Sequence, residues 1–391
     1  MQIPFTPLVL GLLAVVAQAL LAAGLLAAAP TNRASNRFLA LLMLSIALWL
    51  LDGFFRVGTI YSQNPDWYFA PIYYSFAFGP LLYFYVRSLV NHDFRFQSRH
   101  LWHFGPVLAQ AALYWWLRGQ DYEYRNWFWQ HVHRPYTYRL EFIGTWISLL
   151  LYLGLCLRRL RVYRRWLADN FSETSQLRLQ WLRVLLVLVG VVGLQWLGEL
   201  VMREFLGLYY QYDYSTELLG VVLFLVGVVG LRQADMQAVS FEPEPETEQP
   251  TLTAGPRIAP GVSNPDTPLT TVDAAALACI RQALEQERLY LNPTLTLTEL
   301  AQHTGLAPRL VSSTIRHGLG QSFNEVVNQY RVEEVKRRLA GPDVHRLTLL
   351  GIAFESGFNS KTTFNRIFKQ YTGVAPRDFP AQPGAVANQG E

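Results

Sequence analysis

The first 232 residues carry one apolar run after another, each close to the roughly 20 residues that an α-helix needs to cross a hydrocarbon core at about 1.5 Å per residue. Segments 5–29, 38–60, 69–90, 101–117, 142–157, 182–201 and 218–231 read as seven candidate spans. Each is bounded by Arg, Asn, Asp or Pro clusters that are costly in lipid. The last run is the shortest, and a buried or re-entrant segment is its alternative, although Tyr209, Tyr210, Tyr212 and Tyr214 before it have the pattern of an interfacial aromatic belt. The first run ends in Ala27-Ala28-Ala29, like a signal-peptide cleavage site. It has no cation before it, is too long for a signal core and is followed by Arg33 and Arg37, which marks it as a span.

The composition agrees. Apolar residues make up 51% of the 391 and charged residues only 16%, where an ordinary soluble chain would have about a quarter. The charge is also uneven, with no lysine before Lys336, so the net charge of +4 averages two different materials. Two cysteines, Cys156 and Cys279, support neither a disulfide framework nor a zinc site.

Loop arginines set the expected orientation. Arg33 and Arg37, then Arg95 and Arg99, then Arg158, Arg159, Arg161, Arg164, Arg165 and Arg178 fall in alternate loops, which are expected to face the cytoplasm. The amino terminus is then outside and everything after residue 231 inside. Asp52 with Arg56 and Glu199 with Arg203 are the ionisable groups to notice within the spans, each pair spaced i,i+4 and in the outer half of the membrane. They read either as a polar site open to the outside or as ion pairs that lock the bundle. The string LVGVVGL occurs at 188–194 and 225–231, with glycines three apart that permit close helix contact. Loop 118–139 is crowded with aromatics, including Trp127, Trp129 and Tyr138, and suits an element on the outer bilayer surface or over a pocket. His131 with His133, and His100 with His103, lack a third metal ligand nearby.

After residue 231 the chain changes abruptly to Glu242, Glu244, Glu246 and Glu248 interleaved with Pro243 and Pro245. Proline and like charges make 233–271 an extended acidic tether. From 272 to about 380 the pattern is amphipathic helix throughout, long enough for one small domain, and 381–391 reads as a tail. Inside it a helix, a tight glycine turn and a second helix occur twice. In the first copy Thr296 and Glu299 have capping-box spacing, Gly305 supplies the turn and Pro308 opens the next helix, which turns Val311, Thr314 and Ile315 inward and Arg309, Ser312, Ser313 and Arg316 outward. In the second, Gly357 and Phe358 make the turn and Ser360 caps a helix over 361–371. Phe364, Ile367, Phe368 and Tyr371 form one face of it. Thr362, Asn365, Arg366 and Lys369 form the other, at i, i+3, i+4 and i+7, with Lys361 at the amino end.

A helix with aromatic anchors behind and Arg, Asn, Lys and Thr in front has the chemistry for a major groove, where Arg forks onto guanine, Asn onto adenine, and Lys holds a phosphate. A solvated face is the bland reading of one such helix; two copies in one small domain favour nucleic acid. The helix expected at Phe323–Leu339, about 25 Å long, has the length to set the two units toward successive major-groove faces about 34 Å apart. Over 272–379 Lys and Arg exceed Asp and Glu by only thirteen to ten, which favours placed contacts over bulk charge.

The stretches GLAPRLVSSTIRHGLGQSFNEVVNQYRV and LTLLGIAFESGFNSKTTFNRIFKQYTGVAPRDF resemble the double helix-turn-helix domain of AraC/XylS-type bacterial transcription regulators. The most specific part is GF, then the string from Phe364 to Lys369, then Gly373 and Pro376. The resemblance puts base-contacting positions on Arg309, Ser312 and Ser313 in the first unit and on Lys361, Thr362, Asn365 and Arg366 in the second. The first unit departs from the family pattern at Ala307, where a capping Ser is usual, and at Ser313 and Thr314. FAFGPLLYFYVRS at 76–88 and HFGP at 103–106 are similar to the multi-span amino-terminal regions of membrane-anchored members of that family.

The expected protein is all-α: a seven-helix transmembrane bundle over 1–232 followed by a soluble double helix-turn-helix domain. It is expected to be a one-component transcription regulator in the bacterial cytoplasmic membrane and not an enzyme, with no cofactor and no metal. Its expected partners are double-stranded promoter DNA, the lipid bilayer, RNA polymerase, a second copy of itself, and an unidentified small-molecule or envelope signal. The rivals are a membrane transporter or enzyme with an accessory DNA-binding tail, and a plain anchor. The first predicts a catalytic or phosphate-binding motif in the spans; H-E-x-x-H, G-x-S-x-G and glycine-rich phosphate loops are absent from them.

Overall fold

The computed structural model describes residues 6–91, 93–173, 179–207, 218, 222, 225 and 274–379. Among these residues every regular element is a helix, and one isolated antiparallel bridge joins Phe171 to Thr296. The chain divides into two compact units, Met1–Tyr163 with Leu179–Pro243, and Arg164–Arg178 with Glu244–Glu391.

In the N-terminal unit α1 (Pro7–Ala28) starts where the Thr6 hydroxyl accepts from the Val9 amide, with proline in the first turn where its missing N–H costs nothing. The helix is apolar all round. Val9, Leu12, Val16, Ala19 and Leu26 are buried against the unit, while Leu10, Leu13, Leu21 and Leu25 are exposed on the other side. A helix without a polar face belongs in a core or in lipid. α2 (Arg33–Val57) packs against α1 and against α3 (Phe78–Val90). After these come α4 (Gly105–Arg118), α5 (Tyr122–Phe128), a π-helical turn over Trp129–Thr137, α6 (Tyr138–Asn170), whose residues after Tyr163 are assigned to the other unit, and α7 (Gln180–Leu206). Trp49, Phe142 and Trp196 form an aromatic centre, with Trp196 stacked on Trp49 at 5.2 Å. Gly193, in the first of the two repeated strings, lets α6 approach. A Cβ there would lie 3.1 Å from Leu150, and the Gly193 carbonyl accepts from the Trp146 indole at 2.8 Å.

Among the described residues, four helical stretches are long and apolar enough to cross a membrane: Pro7–Ala28, Arg33–Val57, Tyr122–Asn170 and Gln180–Leu206. The expected count of seven is not reached among these residues. The third run is helical only over Ser75–Val90, because Phe69 adopts a left-handed backbone (φ 58°) and Pro71 disfavours helix in the residue before it. The fourth is a 3-10 stretch over Ser98–Phe104 and then α4, since Pro106 cannot donate back into the preceding turn. Segment 118–139 is mostly helix. The π-turn absorbs Pro135, and α5 and α6 become one helical stretch of 49 residues. The seventh run, apart from Leu218, Val222 and Leu225, and the tether lie outside the described residues.

The C-terminal unit contains α8 (Ala274–Glu285), α9 (Leu297–Thr304), α10 (Pro308–Leu319), α11 (Phe323–Leu339), α12 (Leu349–Glu355) and α13 (Lys361–Thr372). It has two cores. Ile280, Leu284, Leu300, Val311 and Ile315 pack with Phe323 and Val327 from the first half of α11. Val332 and Val335 from its second half pack with Ile352, Phe358, Phe364 and Phe368. One helix therefore serves both halves, and burial of its apolar positions couples them.

Candidate nucleic-acid interface

Each helix-turn-helix is built by local chemistry. Thr296 and Glu299 close a capping box on α9, with the Thr296 amide to Glu299 at 2.8 Å and the Glu299 amide to Thr296 at 3.2 Å. Gly305 (φ 68°) ends it in the left-handed conformation. Ser322 and Glu325 cap α11 the same way, and the Ser360 hydroxyl caps α13 by accepting from the Thr363 amide at 3.1 Å. Ala307, at the start of α10, offers no such bond. The second turn requires glycine. Gly357 has φ 91°, and a Cβ there would lie 2.4 Å from the Tyr290 carbonyl and 3.0 Å from Arg331 Nε.

The two helices that follow these turns present the predicted residues. On α13, Phe364, Ile367 and Phe368 are buried, while Lys361, Thr362, Asn365, Arg366 and Lys369 are all exposed. None of those five makes a side-chain hydrogen bond or ion pair among the described residues, so their donors point to solvent. On α10, Val311, Thr314 and Ile315 are buried and Arg309 is exposed. Ser312 and Ser313 are half-buried, and Ser313 donates to the Leu310 carbonyl at 3.0 Å. Arg316 is exposed but ion-paired with Asp169.

Asp169 belongs to a short segment of this unit that sequence reasoning had left within the membrane half. The Ser172 amide donates to the Leu295 carbonyl at 3.1 Å. Asn324 Nδ2 donates to the Phe171 and Ser172 carbonyls at 3.0 and 2.7 Å, and Thr363 donates to Glu173 at 3.5 Å. Arg331, fully buried on α11, donates to the carbonyls of Tyr290 and Asn292 at 2.8 and 2.7 Å and to the Ser172 hydroxyl at 3.1 Å. Burial pushes its guanidinium down to about 10. Beside it, hydrogen bonds from Arg337 and Arg338 hold the buried Glu334 carboxyl down at about 2. Neither group was visible as a core residue, since a charged side chain on an amphipathic helix reads as solvent-facing.

In the N-terminal unit Asp52 and Arg56 are an ion pair at 3.5 Å, and the Tyr61 hydroxyl donates to Asp52. Both line a cavity of about 380 Å³. Glu199 and Arg203 are buried apart from that lining. Gln195 donates to Glu199 at 3.5 Å, and the Arg203 guanidinium lies 4.2 Å from the Phe142 ring centre and donates to the Tyr138 hydroxyl. Phe142 and Tyr138 are cavity walls, and Arg203 packs against both. Of the histidines, His103 bonds Tyr152 at 2.7 Å, His100 contacts Arg87 at 3.2 Å, and His133 bonds Thr137 at 2.8 Å.

A family model described as a helix-turn-helix domain matches residues 300–382, which contain both turns and both exposed helices. Residues 300–382 are an AraC-type helix-turn-helix domain. An uncharacterized HTH-type transcriptional regulator of Staphylococcus aureus (strain COL) is 29% identical over 111 residues, 28% of this chain and 14% of that protein. The HTH-type transcriptional activator AarP of Providencia stuartii is 28% identical over 86 residues, 22% of this chain and 62% of AarP. The match thus spans a small part of the Staphylococcus aureus protein, and both alignments are confined to about a quarter of the chain. No solved structure matches.

Proposed function

We propose that this protein is a membrane-embedded, one-component transcription regulator. Its C-terminal helix-turn-helix domain binds promoter DNA through α10 and α13, and its N-terminal unit receives a signal in or across the membrane. The observation that carries the DNA reading is the single exposed face of α13, where Lys361, Thr362, Asn365, Arg366 and Lys369 sit opposite a buried aromatic face. Arg366 and Asn365 carry the groups that suit guanine and adenine edges, Lys361 falls on a base-contacting position by resemblance, and Lys369 suits a phosphate. On α10 the same roles fall to Arg309, Ser312, Ser313 and Arg316. Membrane embedding is supported by four stretches of spanning length and by the large apolar side chains exposed on them, such as Leu21 and Leu194.

The arginine-rich loops support a topology with the C-terminal domain in the cytoplasm and the amino terminus outside. Pairing of two chains would raise the local concentration of two tethered domains at paired half-sites, and promoter-bound domains would meet RNA polymerase. The test uses the full-length protein in nanodiscs and DNA selected by it from a random library. Lys361→Ala with Arg366→Ala should lower the preference for selected over random DNA by about 2–4 kcal/mol. Undiminished preference in a folded double variant would refute the assignment of α13.

A further inference from the structure

A cavity of about 380 Å³ in the N-terminal unit is large enough for a small organic ligand. Its walls come from the C-terminal end of α2, the connection after it, Tyr114 of α4, the π-helical turn and the first turns of α6. In the expected topology these lie at the outer side of the membrane. Nine of its sixteen lining residues are Phe, Tyr or Trp. The rings are packed against one another: Tyr73 stacks on Tyr114 at 6.0 Å, Tyr68 meets Trp129 edge-on at 5.9 Å, and Phe69 meets His133 at 5.0 Å. Rings fixed in this way lose little entropy when a ligand enters.

The charges in the wall are unequal. Asp52 is paired with Arg56 and bonded by Tyr61. Glu141 is 4% exposed, accepts from the Tyr114 hydroxyl at 3.1 Å and has no ion-pair partner among the described residues. Glu141 is thus an acidic group in a wall of π faces with no cation beside it among the described residues, a place that an entering ammonium would fill. Ring faces attract ammonium groups by the same sign of field, most strongly where water is excluded.

The geometry points to a binding site for an organic cation, a primary or quaternary ammonium with a small apolar body. Its charge is held by Glu141 and its body by the rings of Tyr73, Tyr114 and Trp129. Binding concerns the cavity alone; that such a cation is the regulator's signal rests on the sensing function proposed above.

The test is calorimetry and tryptophan fluorescence on the full-length protein in nanodiscs, with Trp49 and Trp129 in the wall as reporters. The probes are choline and benzyltrimethylammonium, the neutral choline isostere 3,3-dimethylbutan-1-ol, and phenethylamine against phenylalanine. At least one ammonium probe should bind saturably, and the neutral isostere and the zwitterion about tenfold or more weaker than their cationic counterparts. Glu141→Gln should weaken the cation about tenfold without weakening the neutral isostere. Trp129→Leu, at a half-buried ring, gives a second reading should Glu141→Gln unfold the unit. Absence of saturable binding by every ammonium probe, equal binding of the isostere, preference for the zwitterion, or indifference to both substitutions would each overturn the assignment. Cation binding that leaves promoter output unchanged would uphold the cavity assignment and refute the cation as the regulator's signal.

Discussion

Gly357→Ala should open the C-terminal domain far more than an equivalent change at Gly320, and the structure supplies the difference. Both glycines have positive φ, 91° and 68°, so both substitutions incur the left-handed penalty of about 1–2 kcal/mol. At Gly320 no heavy atom lies within 4 Å of the new Cβ, and the cost stops there. At Gly357 the Cβ would meet the Tyr290 carbonyl at 2.4 Å, with Leu291 Cα at 3.1 Å behind it. Those are backbone atoms and cannot rotate away. Relief requires Tyr290 to shift, which also lengthens the 2.8 Å bond from Arg331 Nε to the same carbonyl. Crowding adds about 1–3 kcal/mol and the weakened charged hydrogen bond about 1 more, for a total of about 3–6 kcal/mol. Against a typical domain stability of about 5–15 kcal/mol, that raises the open population by roughly two to four orders of magnitude. Hydrogen exchange of the α11 amides in the full-length protein reads it directly, as protection lost in Gly357→Ala and largely kept in Gly320→Ala. Equal loss in the two variants would refute the steric argument.

Three other outcomes are expected. Ala307→Ser supplies the cap that α10 lacks and should stabilise the domain by about 1 kcal/mol in the same exchange measurement. The Glu334 carboxyl is held below its unfolded value, so its contribution is fully present above about pH 4.5 and is lost as pH falls toward about 2. An acid titration of Glu334→Gln should show a flatter decline across that window, and an unchanged slope would contradict the Arg337–Glu334–Arg338 assignment. Asp169→Ala frees the Arg316 guanidinium, so DNA affinity at low salt should rise and the slope of log K against log salt should steepen by about one phosphate contact. An unchanged slope would mean that Arg316 does not reach the backbone.

The helix-turn-helix domain was legible because its determinants are local. Thr296 and Glu299, Gly305, Pro308, Ser360 and the two faces of α13 are read within a few residues of one another, and α11 runs over Phe323–Leu339 as its periodicity requires. What escaped is non-local. The segment at Asp169–Glu173 joins the C-terminal unit mainly through backbone groups of Phe171 and Ser172, which leave no side-chain pattern to read. Arg331 is charged and yet fully buried, because three acceptors from distant parts of the chain converge on it. In the N-terminal unit, hydropathy located the apolar runs but not their breaks at Phe69 and Pro106, which are matters of backbone geometry. Asp52 and Arg56 were singled out on cost in lipid and on their i,i+4 spacing. Glu141, the buried carboxylate across the cavity, was missed, since it sat just outside the counted span and had no cation at helical spacing.

The central claim is that one chain holds apolar helices in a bilayer and reads promoter DNA with α13. Sequencing of DNA cross-linked to the intact protein in its native cells tests it most directly, with the protein's presence in the membrane fraction measured in parallel. The account predicts discrete promoter peaks from membrane-held protein, lost when Lys361 and Arg366 are replaced by alanine. Peaks that survive those substitutions, or membrane-held protein that yields no peaks under any growth condition, would contradict it.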